Sequence, residues 1–99
     1  MKFFVKIKQF ESIHGKAAQE LWGPIGKRIQ KITSSGKFVD GAIFGGQRGG
    51  YLVLDVQSAI EIDELLSATL LDNFHVECYP LMGFDELGAL FKKMMAEKD

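Results

Sequence analysis

The stretch Phe74-His75-Val76-Glu77-Cys78-Tyr79-Pro80-Leu81 alternates two kinds of residue. On an extended strand successive side chains project to opposite faces, so Phe74, Val76 and Cys78 share one face and His75, Glu77 and Tyr79 the other. The first set reads as core, and its parity makes Cys78 an expected buried, inert thiol. The second set is the densest group of titratable side chains in the chain.

Working outward, Lys2 to Phe10 alternates in the same way, with Phe3, Val5 and Ile7 on one face and Phe4, Lys6 and Lys8 on the other. This is a half-buried strand whose second face is not simply wet, since Phe4 sits among lysines. Lys37 to Phe44 and Gly50 to Val56 read as two further strands, joined through Gly45-Gly46-Gln47-Arg48-Gly49-Gly50. Glycines around two polar residues suit a tight hairpin with Arg48 solvated at its tip. A phosphate cradle is the sharper alternative for this loop. Such cradles open onto a helix start, however, and here a strand follows in sequence.

Helical spacing fills the gaps between strands. Lys16 to Ser35 carries a stripe at Ala18, Leu21, Trp22, Ile25, Ile29 and Ile32, with Trp22 expected as a core anchor. Gly23-Pro24 predicts a kink or two shorter helices, and Gly36 suits the left-handed residue that closes the segment. His14, on the loop Glu11 to Gly15, is expected at the surface. Ser58-Ala59-Ile60-Glu61 predicts a capping box opening a helix with Ile62, Leu65, Leu66 and Leu70. Asp85 is expected to cap a last helix whose Leu87, Leu90, Phe91, Met94 and Met95 form a complete apolar stripe. Two helices already suffice to cover one face of the sheet, so this third stripe predicts docking onto a neighbouring subunit.

Composition bounds what such a chain does. Ninety-nine residues, 46% hydrophobic and 25% charged, make a single domain spanning 1–99. A formal net charge of -1 and scattered basic residues argue against nucleic acid or an anionic membrane as partner. Cys78 is the single cysteine, so no internal disulfide forms. Charges interrupt every apolar run of the amino end, unlike a signal peptide or membrane span, and a cytoplasmic location is the expectation.

The order β-α-β-β-α-β-α predicts an α+β, ferredoxin-like βαββαβ fold with an extra C-terminal helix. The first and third strands are then central, and the last pairs antiparallel with the first. Both crossover helices cover one face, leaving Phe4, Tyr51, Val53 and Tyr79 on the other. That face is too apolar to be solvated, so a homodimer of facing sheets is expected, a dimeric α/β barrel. Its cavity would hold Lys6, Lys8, Tyr51, Asp55, His75, Glu77 and Tyr79.

Gly36-Lys37-Phe38, Asp55-Val56-Gln57-Ser58, Glu64-Leu65-Leu66 and Glu77-Cys78-Tyr79-Pro80-Leu81 resemble the muconolactone δ-isomerase family in type and spacing. The resemblance implies a dimeric barrel, in many members assembled further into a ring. It also implies proton movement on a small carboxylated lactone with no metal or organic cofactor. Glu77 falls where the family has a glutamate on its last strand. The second strand departs from the family pattern: Asp40-Gly41-Ala42-Ile43 stands where His, Trp and Arg are found, removing the natural partner of a substrate carboxylate.

An allylic proton shift needs one group to take a proton from carbon and one to return it to a neighbouring atom. Glu77 is the candidate base, since burial raises a carboxylate's pKa towards working pH, and His75 is the candidate acid or a group that orients the substrate. Tyr51 or Tyr79 could donate to an enolate oxygen, and Lys6 or Lys8 could hold an anionic group; Asp55 completes the set of binding candidates. The structural alternative makes Glu77 a cross-strand ion-pair partner of Lys6 or Lys8 that only settles register. A metal role for His75 and Glu77 lacks a third ligand in the sequence. The function classes left open are a small-molecule binding protein with isomerase activity, a non-catalytic ligand-binding or assembly module, and a cofactor-independent monooxygenase or haem-degrading protein on the same scaffold.

Overall fold

Period-two alternation on β1 (Lys2–Gln9) decides which way the sheet faces, because this strand lies at its centre. The computed structural model describes residues 1–97. After β1 come α1 (Gly15–Thr33), β2 (Phe38–Ile43), β3 (Gly49–Asp55), α2 (Ala59–Leu71), β4 (Phe74–Pro80) and α3 (Phe84–Ala96). The strands form one sheet in the order β2-β3-β1-β4, and every neighbouring pair is antiparallel. This is the α+β, ferredoxin-like arrangement with an added terminal helix. No helix among the described residues is long and apolar enough to cross a membrane.

Val5 and Ile7 of β1, Leu52 and Leu54 of β3 and Phe74 of β4 turn to one face. There they meet Ile32 of α1 and Ile62, Leu66 and Leu70 of α2, all of them buried. Each such side chain contributes about 1.5–3 kcal/mol by leaving water. The chain ends of β1 are tied on both sides. Gln9 N–H donates to the Arg48 carbonyl (2.8 Å), Phe10 N–H to the Asn73 carbonyl (3.0 Å) and Leu81 N–H to the Lys2 carbonyl (2.8 Å).

Several local expectations are corrected. Of the two expectations at Gly23-Pro24, a kink or two shorter helices, the second is corrected: α1 is one helix with Pro24 inside it. Pro24 cannot bond the Glu20 carbonyl, and both residues are exposed, where solvent can reach the helix backbone. Gly36 does take the left-handed region just beyond the helix, at φ 81°. Trp22 lies on the apolar stripe yet is 62% exposed, because no neighbouring element reaches over its turn of α1.

Neither bond of the expected capping box is made. Ser58 stands at the N-cap of α2 without a side-chain bond. Glu61 reaches one residue further back, accepting from Gln57 N–H (2.5 Å) and from Lys37 Nζ (2.7 Å). The Lys37 bond, with Gln57 adding to it, holds the Glu61 carboxyl below its ordinary 4.5. The ammonium of Lys37, at the entry to β2, captures the carboxylate that the serine would have shared. At α3 the N-cap is Gly83, and Asp85 falls in the first turn, where its charge favours the helix dipole without a capping bond.

The unforeseen feature is a break in α2. Ser67 has φ 55° and ψ 178°, a conformation that favours glycine. Side chains replace the interrupted ladder: Arg28 Nη1 donates to the Leu65 carbonyl (3.5 Å), Thr69 N–H to Ser67 Oγ (3.3 Å) and Asn73 Nδ2 to the Thr69 carbonyl (2.9 Å). In a regular helix alanine is more stable than glycine by about 1 kcal/mol. At Ser67 the order should invert: urea unfolding is expected to show Ser67→Gly more stable than Ser67→Ala. Alanine the more stable of the two would mean that the backbone here is helical in solution.

Candidate functional site on the open face of the sheet

The face opposite the helices carries two adjoining zones. One is aromatic: the ring of Phe4 stacks on Tyr51 (centroids 5.3 Å apart, planes at 18°) and lies 6.4 Å from Tyr79. Phe44 extends the row beyond Tyr51 at 6.3 Å. These contacts follow from register, since Phe4 pairs with Val53 on one side and directly with Tyr79 on the other.

The other zone is charged. Pairing of β1 with β4 sets Lys6 opposite Glu77 and Lys8 opposite His75, and these four side chains line a cleft of about 320 Å³. Despite direct opposition, Lys6 and Glu77 form no ion pair among the described residues. Glu77 Oε2 instead accepts from the Tyr79 hydroxyl at 2.9 Å. That bond, reinforced by the charge of Glu77, holds the phenol above its ordinary 10.0. Lys8 leans 4.0 Å from Glu11, and the His75 imidazole meets the edge of Phe10 with centroids 4.6 Å apart.

Of the residues expected in the cavity, Lys6, Lys8, His75, Glu77, Tyr79 and Tyr51 share this surface. Tyr51 directs its hydroxyl to Asp40 Oδ2 (3.4 Å), a partner the sequence reading had not assigned. Asp55 has the right parity but lies at the far end of β3, opposite Lys2, where its Oδ1 accepts from the amino terminus at 3.2 Å. It stands apart from the charged cleft. Cys78 is corrected too: although on the core parity, it is exposed, on a strand that forms one edge of the sheet. Partial burial still pushes its thiol above the usual 9.0, with Asp63 adding to the effect, so it stays protonated at neutral pH. No group of three His, Cys, Asp or Glu side chains placed to hold a metal occurs among the described residues.

The Tyr79–Glu77 bond can be checked directly. Spectrophotometric titration of phenol ionisation is expected to move down towards 10.0 for one tyrosine when Glu77 is replaced by Gln, which removes the neighbouring charge. Identical titration curves for both proteins would mean that the bond does not form in solution.

No protein-family profile matches the chain, and no curated protein sequence matches it. Among solved structures it is similar to the crystal structure of muconolactone isomerase at 3.3 Å resolution, with a TM-score of 0.66 and 22% sequence identity. The match covers 84% of this chain and 90% of the other, more than the span from Gly36 to Leu81 on which the sequence motifs rest. The fold of this protein is therefore muconolactone isomerase-like.

Proposed function

We propose that the open face of the sheet binds a small organic acid or lactone, and that Glu77 moves a proton on it as the base of a cofactor-independent isomerase. The observation that carries this reading is the unpaired geometry of Glu77. A carboxylate placed only to settle register would bond the lysine directly across from it, whereas Glu77 takes a hydroxyl and Lys6 has no carboxylate partner among the described residues. Cation, carboxylate and imidazole then converge on one cleft beside an aromatic floor.

In this reaction Glu77 takes a proton from the carbon next to the ligand carbonyl. The electron pair spreads over the enolate, and the proton returns at the far carbon of the shifted double bond, from Glu77 or from His75. Lys6 and Lys8 hold the anionic group, and Tyr51 or Tyr79 donates to the enolate oxygen. No atom is gained or lost. A second copy laid sheet to sheet would cover Phe4, Tyr51, Val53 and Tyr79 and exclude water from the cleft. The non-catalytic binding or assembly reading draws on a different observation, the large apolar side chains of α3 that stay exposed among the described residues.

Muconolactone and related unsaturated lactones are the first ligands to test. In deuterated solvent the wild type is expected to exchange the ligand's acidic carbon-bound protons, and Glu77→Gln to slow that exchange by about 10²-fold or more with the fold retained. Exchange by the variant at the wild-type rate would remove Glu77 as the base; binding without exchange in the wild type would leave the non-catalytic reading.

Oligomerisation is tested separately. Phe84 is 92% and Phe91 55% exposed, and no residue of α3 is buried. Truncation before Phe84 is expected to leave a cooperatively folding sheet domain with a lower oligomer mass by light scattering. An unchanged mass would show that α3 joins no subunits.

A further inference from the structure

The glycine-rich hairpin loop lacks a following helix in sequence, but the fold brings one to it. Arg48 Nη1 donates to the Ile13 carbonyl at 3.3 Å, which ties the β2–β3 loop to the loop that leads into α1. Between them lies a cleft of about 360 Å³ whose wall includes Lys8, Gln9, Glu11, His14, Gly46 and Arg48. It lies off the end of β1, and its only lining residue in common with the cleft around Glu77 is Lys8.

Three independent features make this cleft suited to an oxyanion. The first is charge. Arg48 has no carboxylate within ion-pair distance among the described residues, and the single acid in the wall, Glu11, lies 4.0 Å from Lys8. The second is the start of α1. His14 is its N-cap and makes no side-chain capping bond, and the first turn holds no acidic residue. The N-cap His14 lines the cleft, and among the described residues its side chain caps none of the opening N–H groups of this long helix, whose dipole has its positive end there. The third is Gln9, only 7% exposed, whose Nε2 is buried without an acceptor among the described residues. Buried amide donors normally have partners, and this one belongs to a residue of the cleft wall. Gly46, at φ 76°, gives the loop a turn that brings backbone rather than side chain to the opening.

We propose that this cleft is a binding site for a phosphate dianion, free or as the head of a small phosphate monoester, held by Arg48, His14 and the first turn of α1. Lys8 adds long-range attraction, partly offset by Glu11. Helix start and glycine loop come from separate parts of the chain, so the site exists only in the folded protein. It is independent of the chemistry proposed at Glu77.

The test is a titration of the full chain with inorganic phosphate, followed by two-dimensional amide NMR at constant ionic strength and neutral pH. Saturable shifts are expected at Gly15, Gly46, Arg48 and the Gln9 side-chain amide, with an affinity of about 1 mM. Glycerol phosphate should reproduce them if the cleft accepts a monoester, whereas a response to inorganic phosphate alone would restrict the site to the free ion. Arg48→Gln is expected to weaken binding about tenfold. Should that variant disturb the hairpin, His14→Ala, an exposed change, should also lower affinity with the spectrum otherwise preserved. Absence of saturation, an equal response to acetate or chloride, or unaltered binding in both variants would overturn the proposal.

Discussion

The antiparallel pairing of β1 with β4 is the interaction on which the rest of this molecule depends. It makes β1 a central strand, so that its backbone donors and acceptors are used on both sides. Its register also sorts every side chain near the site. Val5, Ile7, Phe74 and Val76 go to the helices, and Lys6, Lys8, His75, Glu77 and Tyr79 to the open face. A slip of one residue would exchange those sets, placing lysines in the core, which burial energetics forbid. Backbone bonds from Gln9, Phe10 and Leu81 hold both ends of the arrangement in place.

The two faces of the sheet solve different physical problems. Towards α1 and α2 the surface is aliphatic, and its stability comes from exclusion of water. The opposite face offers aromatic rings next to ionisable groups. Phe4 between Tyr51 and Tyr79 makes a rigid apolar floor, while Lys6 and Glu77 stay unjoined at its border. Such a surface is ill suited to bulk water and well suited to a flat ligand with one charged end. The molecule is 62 Å in its longest dimension, in keeping with a terminal helix whose apolar side chains stay clear of its own core.

Much of this was legible in the chain itself. Alternation placed Lys6, Lys8, His75, Glu77 and Tyr79 on one face, and the order of elements led to the sheet topology. What alternation could not supply was extent. Cys78 and Trp22 have core parity or core spacing yet are exposed, Cys78 on an edge strand. Asp55 shares the parity of the site but not its position along the strand. The break at Ser67 left no trace, because Ile62, Leu66 and Leu70 keep regular helical spacing across it. Nor could a capping pattern show that Lys37, from another element, would take the carboxylate of Glu61.

The sequence by itself determined the periodic properties of this protein: which segments are strands or helices, and which face of a strand each residue occupies. These follow from backbone geometry, where side-chain direction repeats every two residues on a strand and every 3.6 on a helix. Only the tertiary structure decided which charges meet. Glu77 turning to Tyr79 rather than Lys6 depends on side-chain reach across a pleated surface. The glycine loop finding the start of α1 depends on the end of β1 and the start of β3 arriving side by side at one end of the sheet. Period is a property of one segment, whereas proximity between segments is set by the packing of the whole domain.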